Sequence, residues 1–226
     1  MAARPRALVS WSSGKDSAWA LHVLRQRAEV EVVGLLSTIS TTYDRVSIHG
    51  VRRSLLAAQA AAAGVPLVEV PLPSPCPNDV YEKEMMRALA GARREGVEAI
   101  AFGDLFLADV RRYRERMLDG TGLRPLFPLW ERDTRALAEE MLAAGVEAWV
   151  TCVDTRQVPA ALAGARWNAA FLAALPAAAD PCGERGEFHT FVAAGPMLAR
   201  PVAVRPGAIK PRDGFVFADL RPDADA

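Results

Sequence analysis

The sequence predicts an α/β chain: a doubly wound, mostly parallel five-stranded sheet with a small C-terminal α+β region. Short apolar runs alternate with helical patterns over roughly the first two thirds of the chain, as in β-α-β crossover units. Gly64, Gly96 and Gly145 each stand where a helical pattern stops, the usual place for a C-terminal glycine. Beyond Asp154 the pattern changes to short helices, a polar glycine-rich stretch and a hairpin.

In order, Ala7, Leu8, Val9 and Trp11 form the first strand, and Trp19, Ala20, Val23 and Leu24 give the next helix one apolar face. Residues 30–36 are dense in Val and Leu, as a buried parallel strand requires. Residues 51–63 are helical and 67–70 are the third strand. After a Pro-rich break, Asn78 or Asp79 caps a helix running to Arg94. Residues 99–102 are the fourth strand, 109–117 and 134–144 are helices, and 147–153 are the fifth strand. Residues 160–162 and 167–175 read as helical, and 202–204 with 215–218 as an antiparallel hairpin. The expected division falls between 1–125 and 126–226, although composition marks it weakly anywhere from 125 to 155.

Lys+Arg 27 against Asp+Glu 27 leaves zero net charge, which argues against broad binding to duplex nucleic acid or anionic lipid and leaves room for a local basic patch. Charged residues break the apolar runs well short of the ~18 residues a membrane span needs. No export signal precedes the first strand, and Cys76, Cys152 and Cys182 lie far apart without a C-x-x-C pair. The expectation is a cytoplasmic protein with neither a disulfide framework nor a zinc knuckle. The only lysines are Lys15, Lys83 and Lys210, against an Ala/Arg bias that points to a GC-rich genome, so a surviving lysine calls for a reason.

Lys15 lies in Ser12-Ser13-Gly14-Lys15-Asp16-Ser17, between the first strand and the first helix. That turn faces the carboxyl edge of an open α/β sheet, where ligands bind. Unpaired helix N–H groups, the serine hydroxyls and the ammonium suit phosphate. Asp16 beside them would hold a metal ion or cap the helix. A P-loop is ruled out, because Val9 stands where its first glycine belongs and Asp16 follows the lysine. The plainer alternative is a serine-rich cap on an ordinary helix.

Gly103-Asp104 ends the fourth strand at the same edge, followed by Arg111, Arg112, Arg114, Glu115 and Arg116. These arginines would bind phosphates or an anionic substrate, or form a solvated helix face. Cys182-Gly183-Glu184-Arg185-Gly186-Glu187-Phe188-His189-Thr190 gathers two carboxylates and a histidine, in a chain whose other histidines are His22 and His49. Glu184, Glu187 and His189 are candidates to hold Mg²⁺ or act as a base; otherwise the segment is a tight loop entering a strand. Zinc lacks a partner ligand pair.

Ser12 to Ser17 resembles the S-G-G-x-D-S loop of the N-type ATP pyrophosphatases, with Ser13 in place of the first glycine. With Gly103-Asp104, Arg114, Pro128-Leu129-Trp130 and G-E-R-G-E-F-H-T in that order, the chain is similar over about residues 6–200 to the diphthine–ammonia ligase family. The late signature of that family is G-E-N-G-E-F-H-T, so Arg185 replaces its Asn. The resemblance implies a HUP-type, adenine nucleotide alpha hydrolase-like fold: a PP-loop ATP-binding domain over 1–125 and a substrate-binding and catalytic region over 126–226. It implies ATP-dependent amidation with Mg²⁺, in which a carboxylate is adenylated, pyrophosphate leaves, and ammonia displaces AMP.

Carried onto this chain, the resemblance gives ATP to Ser12, Ser13, Gly14, Lys15, Asp16, Ser17, His49, Gly103 and Arg114. Adenine is expected beside Leu35, Leu36 and Ser37 at the end of the second strand, and Mg²⁺ on Asp16 and Asp104. Catalysis falls to Lys15, Asp104, Glu184, Glu187 and His189. Expected partners are ATP, free ammonia, and either elongation-factor diphthine or a small carboxylate, without a membrane or nucleic acid; a homodimer is a further possibility. The competing readings are tRNA sulfuration on the same scaffold and a non-catalytic nucleotide sensor.

Overall fold

The computed structural model describes residues 3–223. Its first sheet contains β1 (Arg6–Ser10), β2 (Glu31–Ser40), β3 (Arg45–Val46), β4 (Leu67–Leu72), β5 (Ala99–Ala101) and β6 (Arg124–Leu126). The parallel strands run in the order β4-β2-β1-β5-β6, and two-residue β3 pairs antiparallel with Ile39 and Ser40 of β2. From β1 the chain moves outward to β2 and β4, then returns to β5 and β6 on the other side of β1. The carboxyl ends of β1 and β5 therefore flank the crevice at the topological switch point, the ligand position of open α/β sheets.

Helices α1 (Lys15–Arg27), α2 (Arg53–Ala63), α3 (Asn78–Arg94) and α4 (Ala108–Leu118) connect these strands. Gly64 ends α2 in the left-handed conformation, as its position in the sequence predicts. Pro77 precedes α3, and neither Asn78 nor Asp79 caps it through a side chain.

The fifth parallel strand is β6, not residues 147–153. Those residues form β7 (Glu147–Asp154), the centre of a second, antiparallel sheet after α5 (Thr134–Ala143). Strands β8 (Arg166–Trp167), β9 (Phe188–Ala194), β10 (Val204–Arg212) and β11 (Phe215–Pro222) complete it, in the order β10-β11-β7 with β8 and β9 also on β7. The Val-rich pattern of β7 reflects burial in this sheet, where Val150, Cys152 and Val153 are all buried. Short β6 carries a proline and had no apolar run to announce it. The expected 167–175 helix is shorter, α6 (Ala169–Ala174), because Arg166–Trp167 pairs with β7.

One apolar core joins the sheets, running from Val9, Leu35 and Leu55 to Val150, Trp167 and Phe191. A second core under α3 holds Leu8, Leu36, Leu89 and Phe102 on the opposite face of the parallel sheet. No helix among the described residues is long and apolar enough to cross a membrane.

Candidate active site

Residues 12–17 turn out of β1 into α1 with Gly14 at the N-cap. Ser13 makes the turn at φ 70°, a left-handed conformation that costs a residue with a Cβ roughly 1–2 kcal/mol. The first glycine of the common loop would adopt it freely. Ser13 is fully buried and its Oγ has no hydrogen-bond partner. The Ser12 and Ser17 hydroxyls are 3.2 Å apart, and Ser17 Oγ donates to Gly14 O at 3.0 Å. These two serines hold the turn, leaving Ser13 with the uncommitted hydroxyl.

The second sheet fastens the loop. Val192 N–H donates to Ser13 O at 3.0 Å, and Lys15 N–H donates to Thr190 Oγ1 at 3.1 Å. Buried Gln59 donates to Ser13 O at 3.0 Å and to Val192 O at 2.6 Å, and accepts from Trp11 Nε1 at 3.0 Å. Gln59 and Thr190 were missed in the sequence. Gln59 carried a usable signal, as a lone polar residue on the Ala-rich stretch 57–63, whereas Thr190 lay within the motif but looked unexceptional beside His189.

Lys15 does not present an open ammonium, as its place in the motif suggested. It is 2% exposed, under the rings of Phe188 and Trp167 at 5.3 and 5.7 Å. Its Nζ donates to Cys182 O and to Asp16 Oδ2, the latter at 2.9 Å. Burial pulls its pKa down, but the negative charge around it, Asp16 foremost, leaves it raised and the ammonium charged. Asp16 is a quarter exposed, and burial holds its carboxyl above the ordinary range against the pull of Lys15.

Gly103 brings β5 onto the same turn. A Cβ there would stand 2.8 Å from Asp16 C and 2.9 Å from Ser17 N, so only glycine permits the approach. Asp104 follows, 3.6 Å from Arg114 Nε, and its buried Oδ2 has no hydrogen-bond partner. Burial raises its carboxyl pKa, with Arg114 opposing. Arg114 stacks on Phe102 at 5.1 Å, while Arg111 pairs with Glu115 at 2.8 Å and lies over Phe127 and Trp130. The arginine helix is therefore anchored on aromatic rings.

Above the crevice, Glu184 Oε1 accepts from Leu105 N–H at 2.7 Å and Phe106 N–H at 3.3 Å. Burial, reinforced by Asp16 and Asp104, pushes Glu184 up to about 7 despite these bonds. Glu187 is different. It is 1% exposed and both its oxygens accept loop amides, from Asp180 and Arg185 at 2.8 Å each. The expected base at Glu187 is thus a loop clamp, held inside its own turn. Asp180, not singled out in the sequence, accepts from Cys182 N–H at 2.9 Å and from Thr134 Oγ1 at 2.6 Å.

His189 on β9 meets His49 with ring centroids 4.4 Å apart. Burial lowers both rings, with the nearby Lys15 charge adding to it, His49 to about 4 and His189 well below its usual value. Both are neutral at pH 7. Residues 35–37 do not end their strand, because β2 continues to Ser40. Leu35 and Leu36 are buried in the two cores, and Trp11 N–H and Ser47 N–H occupy Leu36 O and Thr38 O. Ser37 Oγ is buried there and has no hydrogen-bond partner.

Among the described residues no three His, Cys, Asp or Glu side chains stand together as a self-sufficient metal site. Mg²⁺ needs less, since one or two carboxylates plus substrate phosphates suffice. The orphaned Asp104 Oδ2 and the raised pKa values of Asp16 and Asp104 fit such an ion. Burial pushes the Cys152 thiol up to about 12 and the Cys182 thiol higher still, so neither of these two buried cysteines supplies a thiolate near pH 7.

A glycine-pinned loop at the switch point of a parallel sheet, with acidic groups converging on it, defines an α/β protein with its ligand position at that edge. The family model for the diphthamide synthase N-terminal domain matches residues 5–125, and the chain belongs to that family. No curated protein matches the chain.

Proposed function

We propose that the protein is an AMP-forming amide ligase: it adenylates a carboxylate with ATP and passes the acyl group to ammonia. Support comes above all from one observation, the convergence of the 12–17 loop, Asp104 and Glu184 at the crevice between β1 and β5. In the first step a carboxylate oxygen attacks the α-phosphorus and the bond to the bridging oxygen breaks, with pyrophosphate taking the electron pair. Ser13 Oγ and the positive end of α1, whose Lys15 amide is already held by Thr190 Oγ1, would bind the outer phosphates. Asp16 and Asp104 would hold Mg²⁺, which when bound neutralises charge on the departing pyrophosphate.

In the second step ammonia attacks the acyl carbon, AMP leaves, and the nitrogen loses a proton. Glu184 is the best-suited base, since a carboxyl near pH 7 is half ionised where it must work. The neutral His49–His189 pair would border the acyl group, and Glu187 is a positioning residue that shapes the Glu184 loop. Within these proposals, residues 1–125 bind the nucleotide and 126–226 supply the nitrogen-handling groups. The test is product analysis with ATP, Mg²⁺, ammonium and a panel of carboxylic acids. AMP and pyrophosphate are expected in equal amounts with the amide; ADP would refute the reading.

A further inference from the structure

The β10–β11 hairpin turns Val216, Ala218 and Leu220 into the core and leaves Phe217, Asp219 and Arg221 on its other face. Between that face and the segment after β2 lies a cleft of about 640 Å³, within the span of small-molecule sites. Arg45, Arg52, Lys210, Arg212 and Arg221 line it, with Asp219 the one carboxylate among the lining residues. Asp219 is shared by Arg45 at 2.9 Å, Arg52 at 2.7 Å and Arg221 at 3.5 Å, so cationic charge is left over. Lys210 is exposed and makes no ion pair among the described residues.

Two further observations point to a ligand. Ser40, on the cleft wall, is 8% exposed and its Oγ has no hydrogen-bond partner. Lys210 is also one of only three lysines in a chain with 27 Lys and Arg residues, and another of the three, Lys15, sits in the crevice. The cleft and the crevice share a row of paired residues: His189 opposite Cys152, Cys152 opposite Phe217, and Phe217 opposite Lys210. Cross-strand partners project to one face, and three strand spacings make the row roughly 14 Å long. His49 and Gly50 pack over two members of the row, His49 on His189 at its end and Gly50 against Phe217.

We propose that this cleft binds a second anionic group of the acid substrate. The substrate class is then an elongated acid with its reacting carboxylate at the His189 end and a phosphate or further carboxylate at Lys210 and Arg221. This rests on the ligase reading of the crevice and adds a substrate class to it. A small anion fits better than a nucleic acid, because the cleft is of small-molecule size and the chain as a whole has zero net charge.

The test uses the full chain, with inorganic phosphate and citrate as probes and acetate as the monoanionic control, by calorimetry at low ionic strength. Phosphate and citrate are expected to bind, and a Lys210→Met/Arg221→Met variant to weaken them at least tenfold while ATP affinity stays unchanged. Equal binding by the variant, no binding by the native chain, or binding of an oligonucleotide but of neither probe would overturn the proposal. A parallel loss of ATP affinity would also overturn it, by making the cleft part of the nucleotide site. If the cleft binds as expected but no acid drives AMP formation, the ligase reading fails and the anion site stands.

Discussion

Glu184 shows how a single carboxyl links stability to chemistry. Its folded pKa, about 7, lies above the ordinary 4.5, so between these values the native state holds a proton that the unfolded chain has released. Its contribution to stability is full below about pH 4.5 and is lost as pH rises to about 7. The native Tm should therefore fall across pH 5–8 more steeply than that of Glu184→Gln, which keeps the acceptor for Leu105 N–H. The same substitution should lower kcat about 10²-fold and remove the rising limb near pH 7 from the pH profile of kcat/KM. His49 acts with the opposite sign: its pKa of about 4 makes stability fall as pH drops from 6.5, and His49→Gln should reduce that acid loss. Ser13 has a different cost, a left-handed φ of 70° and a buried hydroxyl without a partner. Ser13→Gly should stabilise the protein by about 1 kcal/mol in a denaturant melt, and raise the KM for ATP several-fold because the phosphate loses a donor.

At the scale of elements, the closeness of β5 to α1 decides whether the crevice exists. Gly103→Ala puts a methyl group 2.8 Å from the Asp16 backbone, with no flexible side chain there to give way. We expect a loss of about 1–3 kcal/mol and a larger proportional fall in ATP binding than in Tm, read by titration and thermal melt on the same sample. Most of these elements were legible in the sequence. β1, β2, β4, β5 and their helices announce themselves through buried apolar runs and glycine stops, and α2 ends at Gly64 as read. β7 was legible as a strand but not as a member of a different sheet, because an apolar run records burial and carries no information about direction or partner. β6, three residues with a central proline, left no periodic trace, and β9 was read only as the strand that a tight loop enters, the plainer alternative to a catalytic segment.

The whole molecule explains why the site was only half readable. Ser12 to Ser17, Asp104 and Glu184 could be picked out because each sits in an unusual local string. Their partners Gln59, Thr190 and Asp180 are ordinary residues made important by the meeting of two sheets, which no local pattern encodes. That meeting also has a consequence for dissection. The family model ends at residue 125, and the parallel sheet ends with β6 at Leu126, so a cut there looks natural. The loop itself argues otherwise, since Ser13 O and Lys15 N–H find partners on Val192 and Thr190, and Lys15 Nζ finds one on Cys182 O. The shared core would be opened as well, losing Trp167, Phe188 and Phe191 from beside Val9 and Leu35. Each unmatched buried polar group costs about 1–3 kcal/mol, and a typical domain has only about 5–15 kcal/mol in all. A chain of residues 1–125 should therefore associate on size-exclusion chromatography and show no saturable ATP binding, while the full chain binds ATP as a folded species. Saturable binding by the isolated fragment would show that the loop holds its shape without the second sheet.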